Sequence, residues 1–154
     1  MKKILFLLLA TATIFLFTGC YAKVDLESKE TSNSAKLFKE PTNDKSGLYI
    51  YRNDSFFGGA LTKELYINDK YIGKTAPGVF FYEELEGDIE YKISTQSEFS
   101  PNSILLTLEK GKLYFVRQYI KMGVFIGGAN LEVIDSEKAK KAILELDMAK
   151  KISK

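Results

Sequence analysis

The chain has 154 residues, with no His, no Trp and a single Cys at position 20. That composition removes the usual general base near neutral pH, the Ser-His and Cys-His nucleophile pairs, most metal sites and any intramolecular disulfide. The formal charge is +2, and without Lys2 and Lys3 the rest of the chain carries 20 basic and 20 acidic residues, which gives no electrostatic footing for nucleic acid.

The first element is "MKKILFLLLATATIFLFTGC". Lys2 and Lys3 form a basic start, and Ile4 to Phe17 form an apolar run too short to span a membrane comfortably. The order matches an export signal over residues 1–19. Leu16-Phe17-Thr18-Gly19-Cys20 resembles the lipobox of bacterial lipoproteins, in which small residues precede a Cys that is acylated and becomes the new N-terminus. Phe17 departs from the usual Leu. The resemblance implies cleavage between Gly19 and Cys20 and lipidation of Cys20. More than one acyl chain makes such attachment stable. The expected location is therefore extracytoplasmic, held to a membrane through the lipid. Tyr21 stands where Asp would mark inner-membrane retention, so the outer membrane, facing the periplasm, is the expected site.

Residues 20–46 hold the Cys and a polar stretch rich in Ser, Thr, Lys and Glu, read as a flexible tether with room for a short helix near 34–39. From Gly47 the composition shifts. "GLYIYRN" predicts a strand ended by Asn53-Asp54. "KELYINDKYIGKT" predicts a hairpin turning at Asn68-Asp69-Lys70. "GVFFYEEL" and the alternating "IEYKIST" predict two more strands, and "SILLTLEKGKLYFVRQYIK" predicts two around Glu109–Lys112. "GANLEVID" predicts the last. Seven or eight short strands without helices between them predict a mainly β fold, a small antiparallel sandwich or open barrel. After Asp135 the period changes, and Ala139, Ala142, Ile143, Leu146 and Ala149 form the stripe of a C-terminal helix from about 136. The folded domain is read as 47–154, and a domain of about 100 residues can bury a core without disulfides.

"LYIYRNDSFFGGALTKELYINDKYIGKTAPGVFFYEELEGD" and "GKLYFVRQYIKMGVFIGGANLEVIDSEKAKKAI" resemble the bacterial lipoproteins grouped as domain of unknown function 2846. The likeness rests on Tyr51-Arg52, Gly58-Gly59-Ala60 before a hairpin, the aromatic strand Phe80-Phe81-Tyr82, Gly87, and Tyr114-Phe115-Val116-Arg117. It covers about residues 47–145. Asn68-Asp69-Lys70 replaces the family's frequent Asp-Gly turn, and the His often found near Gly87 is missing. The resemblance implies fold and location and carries no activity.

"FFGGAL" at 56–61 and "FIGGAN" at 125–130 raise a separate question. A strand follows each, so neither fits a phosphate loop, which opens a helix. One reading makes them strand bends, with Phe57 and Phe125 in the core. The other makes Phe56, Phe57, Phe125 and Ile126 contact loops for a membrane or a partner. Their flanks do not align as a duplication.

Glu83, Glu84, Glu86 and Asp88 are read as a solvated strand end, since alternation puts Glu83 and Glu84 on opposite faces. Arg52 and Arg117, the two arginines, are candidate ligand-binding residues alongside eight tyrosines that suit strands or a sugar-binding face. No catalytic residue, metal site or cofactor is expected, and no enzyme. The expected function is a non-enzymatic binding or scaffold module of the cell envelope, with the membrane and another envelope protein as partners. The alternative is a periplasm-facing lipoprotein binding a cell-wall sugar or peptide through a Tyr/Arg face. A hydrolase would need two facing buried carboxylates.

Overall fold

The computed structural model describes residues 21–42 and 44–152, so the export signal, Gly19 and Cys20 lie outside the described residues. β1 (Lys45–Arg52) is buried along nearly its whole length. Its alternation serves two cores. Leu48 and Ile50 face one, and Tyr49 and Tyr51 face the other.

The described strands continue with β2 (Lys63–Ile67), β3 (Lys70–Thr75), β4 (Val79–Glu86), β5 (Ile89–Thr95), β6 (Asn102–Leu108), β7 (Leu113–Lys121) and β8 (Gly128–Val133). Two sheets result. One has the order β8-β7-β1-β4 and is extended by a short β9 (Asp147–Met148); the other has the order β3-β2-β5-β6. The mainly β sandwich read from the sequence is the fold, and the sheets do not close into a barrel. It has nine strands among the described residues and is not wholly antiparallel. β1 pairs with β7 in parallel, and β4 with β9. The β6–β7 segment is therefore no hairpin. It carries the chain from one sheet to the other around Glu109–Lys112.

Leu48, Ile50, Leu65, Phe81, Ile93, Leu108 and Val116 fill the space between the sheets. The outer face of the five-stranded sheet carries Tyr49, Tyr51, Phe80 and Phe115, covered by α1 (Lys29–Ala35) and α2 (Ser136–Leu144). The β2–β3 hairpin turns where read, because Asn68 and Asp69 both adopt positive φ, +48° and +61°, as a two-residue hairpin turn of the primed type requires.

α2 starts on an Asp135 cap whose carboxylate accepts the Glu137 and Lys138 N–H groups at 3.1 and 3.3 Å. It ends at Leu144, short of the stripe read to Ala149. Leu146 and Ala149 are still buried, by another route: the chain leaves the helix and runs along the open edge of β4. The Ala149 N–H reaches the Phe80 carbonyl at 2.9 Å and the Ile152 N–H reaches that of Ile72 at 3.1 Å, tying one sheet to the other. Pairing the edge outweighs continuing the helix, since unpaired edge groups are costly.

Residues 21–42, read as tether, lie bonded to the domain. The Ala22 N–H donates to the Gly59 carbonyl at 2.8 Å, Glu27 to Met148 at 2.8 Å, and the Lys150 N–H returns to Asp25 at 2.8 Å. α1 sits at 29–35, earlier than the expected 34–39, capped by Ser28. The Phe38 ring packs 5.3 Å from that of Tyr49, and the Tyr49 hydroxyl donates to the Ala35 carbonyl at 2.7 Å. Apolar residues scattered in a polar stretch, Val24, Ala35 and Phe38, give it enough to bury.

Candidate functional site

β1 and β7 run in parallel, so their ends meet at one end of the sandwich. The loops that follow them, 53–62 and 122–127, meet there. The 96–101 loop between β5 and β6 joins them, because β5 ends beside the start of β2. FFGGAL and FIGGAN are thus neighbours.

Their glycines make this possible. Gly58 has φ +75°, and a Cβ there would lie 2.7 Å from Cγ1 of Ile120 on β7. A Cβ on Gly127 would lie 2.8 Å from Cδ1 of Leu61. Each string touches the other's strand or loop through a missing side chain. The strand-bend reading is right about close approach and wrong about the phenylalanines. Phe56 is 97% exposed, Phe57 53% and Phe125 84%, and Ile126 is exposed as well. Phe99, Met122 and Val124 are also exposed on these loops. Isolated exposed apolar residues are ordinary; seven on three joined loops are not.

Glu98 joins two of the loops. Its carboxylate accepts the N–H groups of Val124 at 2.7 Å, Ile126 at 2.9 Å, and Phe125. Three successive N–H groups form a concave anion site, filled here by the chain's own carboxylate. The Ile126, Phe125 and Val124 N–H groups hold the Glu98 carboxyl below its ordinary range. Gly123 is needed for this turn, since a Cβ would strike the Ile126 carbonyl.

Arg52 braces the third loop. It is 3% exposed, and its two terminal nitrogens donate to the carbonyls of Leu61 and Gly58, each at 2.7 Å. Burial lowers its pKa to about 10. Arg117 pairs with Glu132 on β8, with its guanidinium 5.9 Å from the Tyr119 ring centre. Both arginines border one cleft of about 230 Å³ together with Phe57 and Tyr119. They are convergent in place and already engaged with protein groups. The tyrosines do not form one face: Tyr49, Tyr51 and Tyr91 are buried, and Tyr66 packs against Tyr71 on the other sheet. The β4-end carboxylates are partnered one by one, Glu83 with Lys151 at 3.2 Å, Glu84 with the Thr42 N–H at 3.0 Å, and Glu86 with Lys45.

Residues 42–129, which include all three loops, match the family model described as Protein of unknown function (DUF2846). The chain belongs to this family. A similar relative is an uncharacterised protein of Haemophilus influenzae, 55% identical over 134 residues, covering 87% of this chain and 78% of that protein. In this DUF2846 domain, sequence reasoning found Phe56, Phe57, Phe125 and Ile126. It missed Phe99, Met122, Val124 and Glu98. "KMGVFIGG" breaks the strand alternation with consecutive apolar residues, which was a usable signal for Met122 and Val124. Nothing local marks Glu98, whose partners lie 26 to 28 residues away.

Proposed function

We propose that this is a lipid-anchored, extracytoplasmic protein of the cell envelope, attached through Cys20 and facing the periplasm from the outer membrane. It works as a non-enzymatic binding or scaffold module whose contact surface is the three-loop apolar end. The observation that carries the reading is the exposure of Phe56, Phe57, Phe99, Phe125 and Ile126 on loops locked in place by Glu98 and Arg52. Large apolar side chains held out to water on rigid loops cost solubility and return it through contact. The lipobox-like Leu16–Cys20 supports the anchor.

The ligand-binding alternative draws on the Arg52–Arg117 cleft. Both guanidinium groups already satisfy protein acceptors, so an anionic ligand there would have to compete with Glu132 and two backbone carbonyls. That weighs against it.

The test is metabolic labelling with a palmitate analogue, followed by in-cell photocrosslinking, to lipid or to protein, from a probe at position 125 of the full-length protein and of its F56S/F57S variant. The expected outcome is label on both, lost in C20A, and crosslinked species lost in F56S/F57S. Label missing from the wild type, or crosslinks unchanged in F56S/F57S, would overturn the reading.

A further inference from the structure

We propose that the occupant of the apolar end is the lipid leaflet that holds the anchor, with Phe56, Phe57, Phe99, Phe125 and Ile126 inserted at its interface. This deepens the anchored reading above and rests on it.

The Tyr21 hydroxyl donates to the Asp54 carboxylate and lies 3.2 Å from the Ser55 carbonyl, both on the 53–62 loop. Its ring is seated on Gly59, where a Cβ would come within 2.8 Å, and the next residue donates its N–H to the Gly59 carbonyl at 2.8 Å. The chain is therefore pinned to the FFGGAL loop at Tyr21 and Ala22. Consecutive Cα atoms across a trans peptide are about 3.8 Å apart. Acyl chains on Cys20 would leave the protein one residue before Tyr21, whose side chain is held by the loop that carries Phe56 and Phe57. Little slack separates anchor from domain, because Ala22, Asp25 and Glu27 are bonded to it as well. The lipid brings the leaflet to this end before any other occupant can arrive.

The chemistry of the end suits that environment. Its two carboxylates are both committed, Asp54 to the Tyr21 hydroxyl and Glu98 to three N–H groups. The 122–127 loop has no acidic residue. The N–H groups of Val124, Phe125 and Ile126 are satisfied inside the protein, and an unsatisfied N–H is what makes a loop costly to carry toward hydrocarbon. Phenylalanine and aliphatic side chains bury into the headgroup boundary. Lys121, exposed at the end of β7, can extend its ammonium to lipid phosphate.

The absence of tryptophan makes the test clean. Full-length lipidated F56W, F125W and I89W are purified in detergent and returned to vesicles of phosphatidylethanolamine and phosphatidylglycerol with brominated acyl chains. Phe56 and Phe125 are exposed at the apolar end, and Ile89 is exposed at the start of β5, at the opposite end, so none of the three changes disturbs the core. The expected result is indole quenching at least about threefold greater in F56W and F125W than in I89W, as insertion of this end to the acyl boundary requires. Equal quenching in all three, or none, with labelled protein in the vesicle fraction overturns the docking and leaves the anchor standing. A concentration-dependent blue shift in F56W without bromine quenching overturns it in favour of a second copy of the chain. Protein that takes up no palmitate label overturns the anchored reading, and the docking with it.

Discussion

Glu98 accepts the backbone N–H of Ile126 at 2.9 Å across 28 residues of sequence, and this bond fixes one apolar loop against another. The carboxylate is doubly useful: it satisfies donors that face the apolar end, and it does so as an anion. Its pKa is lowered in the folded protein by the N–H groups of Ile126, Phe125 and Val124, so the loop closure it supplies is present above the ordinary value of 4.5 and fades as pH falls through the depressed one. The amide resonances of 124–126 are expected to titrate together with a midpoint below 4.5, and E98Q is expected to abolish the titration. A midpoint at or above the ordinary value would remove the nest as its cause.

Gly58 and Gly111 separate two reasons for glycine. Both have positive φ, +75° and +73°. A Cβ on Gly58 meets Ile120, whereas nothing lies within 4 Å of one on Gly111. G111A is expected to cost about 1 kcal/mol from backbone strain alone, and G58A clearly more, in the range of about 2–4 kcal/mol. Urea denaturation of the two variants decides it; equal costs would mean the loop yields freely around Ile120.

Arg52 should not tolerate Lys. A guanidinium fork reaches two carbonyls at once, and an ammonium on a flexible stem does not hold both. R52K is expected to lose about 1–3 kcal/mol, the cost of a buried acceptor left unpaired. Hydrogen exchange should show the Leu61 and Gly59 amides opening faster in R52K than in wild type.

The phenylalanines divide by place. Phe81 is fully buried between the sheets, and F81A is expected to cost about 3–5 kcal/mol. The exposed F56S and F125S are expected to stay within about 0.5 kcal/mol of wild type. Thermal melts of the three variants check this, and destabilisation of F56S comparable to F81A would place that ring in the core after all.

Gln118 links the sheets under the apolar end. Its amide donates to the Thr95 hydroxyl at 2.6 Å and accepts from that of Thr75, so β7 is bonded to β5 and β3. Q118A removes both of these bonds and the volume of a buried side chain, although the Thr75 and Thr95 hydroxyls keep the Lys63 and Glu64 carbonyls as acceptors, and is expected to cost about 2–4 kcal/mol, whereas T75V removes one bond, leaves the Gln118 oxygen without its donor and should cost less. A double-mutant cycle by urea denaturation measures the coupling, and strict additivity would show that the hydroxyls do not depend on Gln118.

Much of the fold was legible because it is local. Runs of Tyr, Ile, Phe and Leu bounded by turn residues identified the strands from β1 to β8, with period-two alternation plain in β5, the Asn68-Asp69 pair announced its turn through tolerance of positive φ, and the change of period after Asp135 announced the helix. The site was half legible. Phe56, Phe57, Phe125 and Ile126 stood out as apolar residues beside paired glycines, while Glu98 and Tyr21 gave no local sign of what they hold.

By itself, then, the sequence determined the strand segments, their turns and the start of α2, because these depend on the preferences of residues within a few positions of one another. Tertiary structure alone decided that β1 lies parallel to β7, that the chain after α2 pairs along β4, and that Arg52 braces a loop. It also decided that Tyr21 and two glycine strings 69 residues apart share one end of the sandwich. The order of strands in a sheet comes from how two hydrophobic faces are buried at once, and that balance is summed over the whole chain.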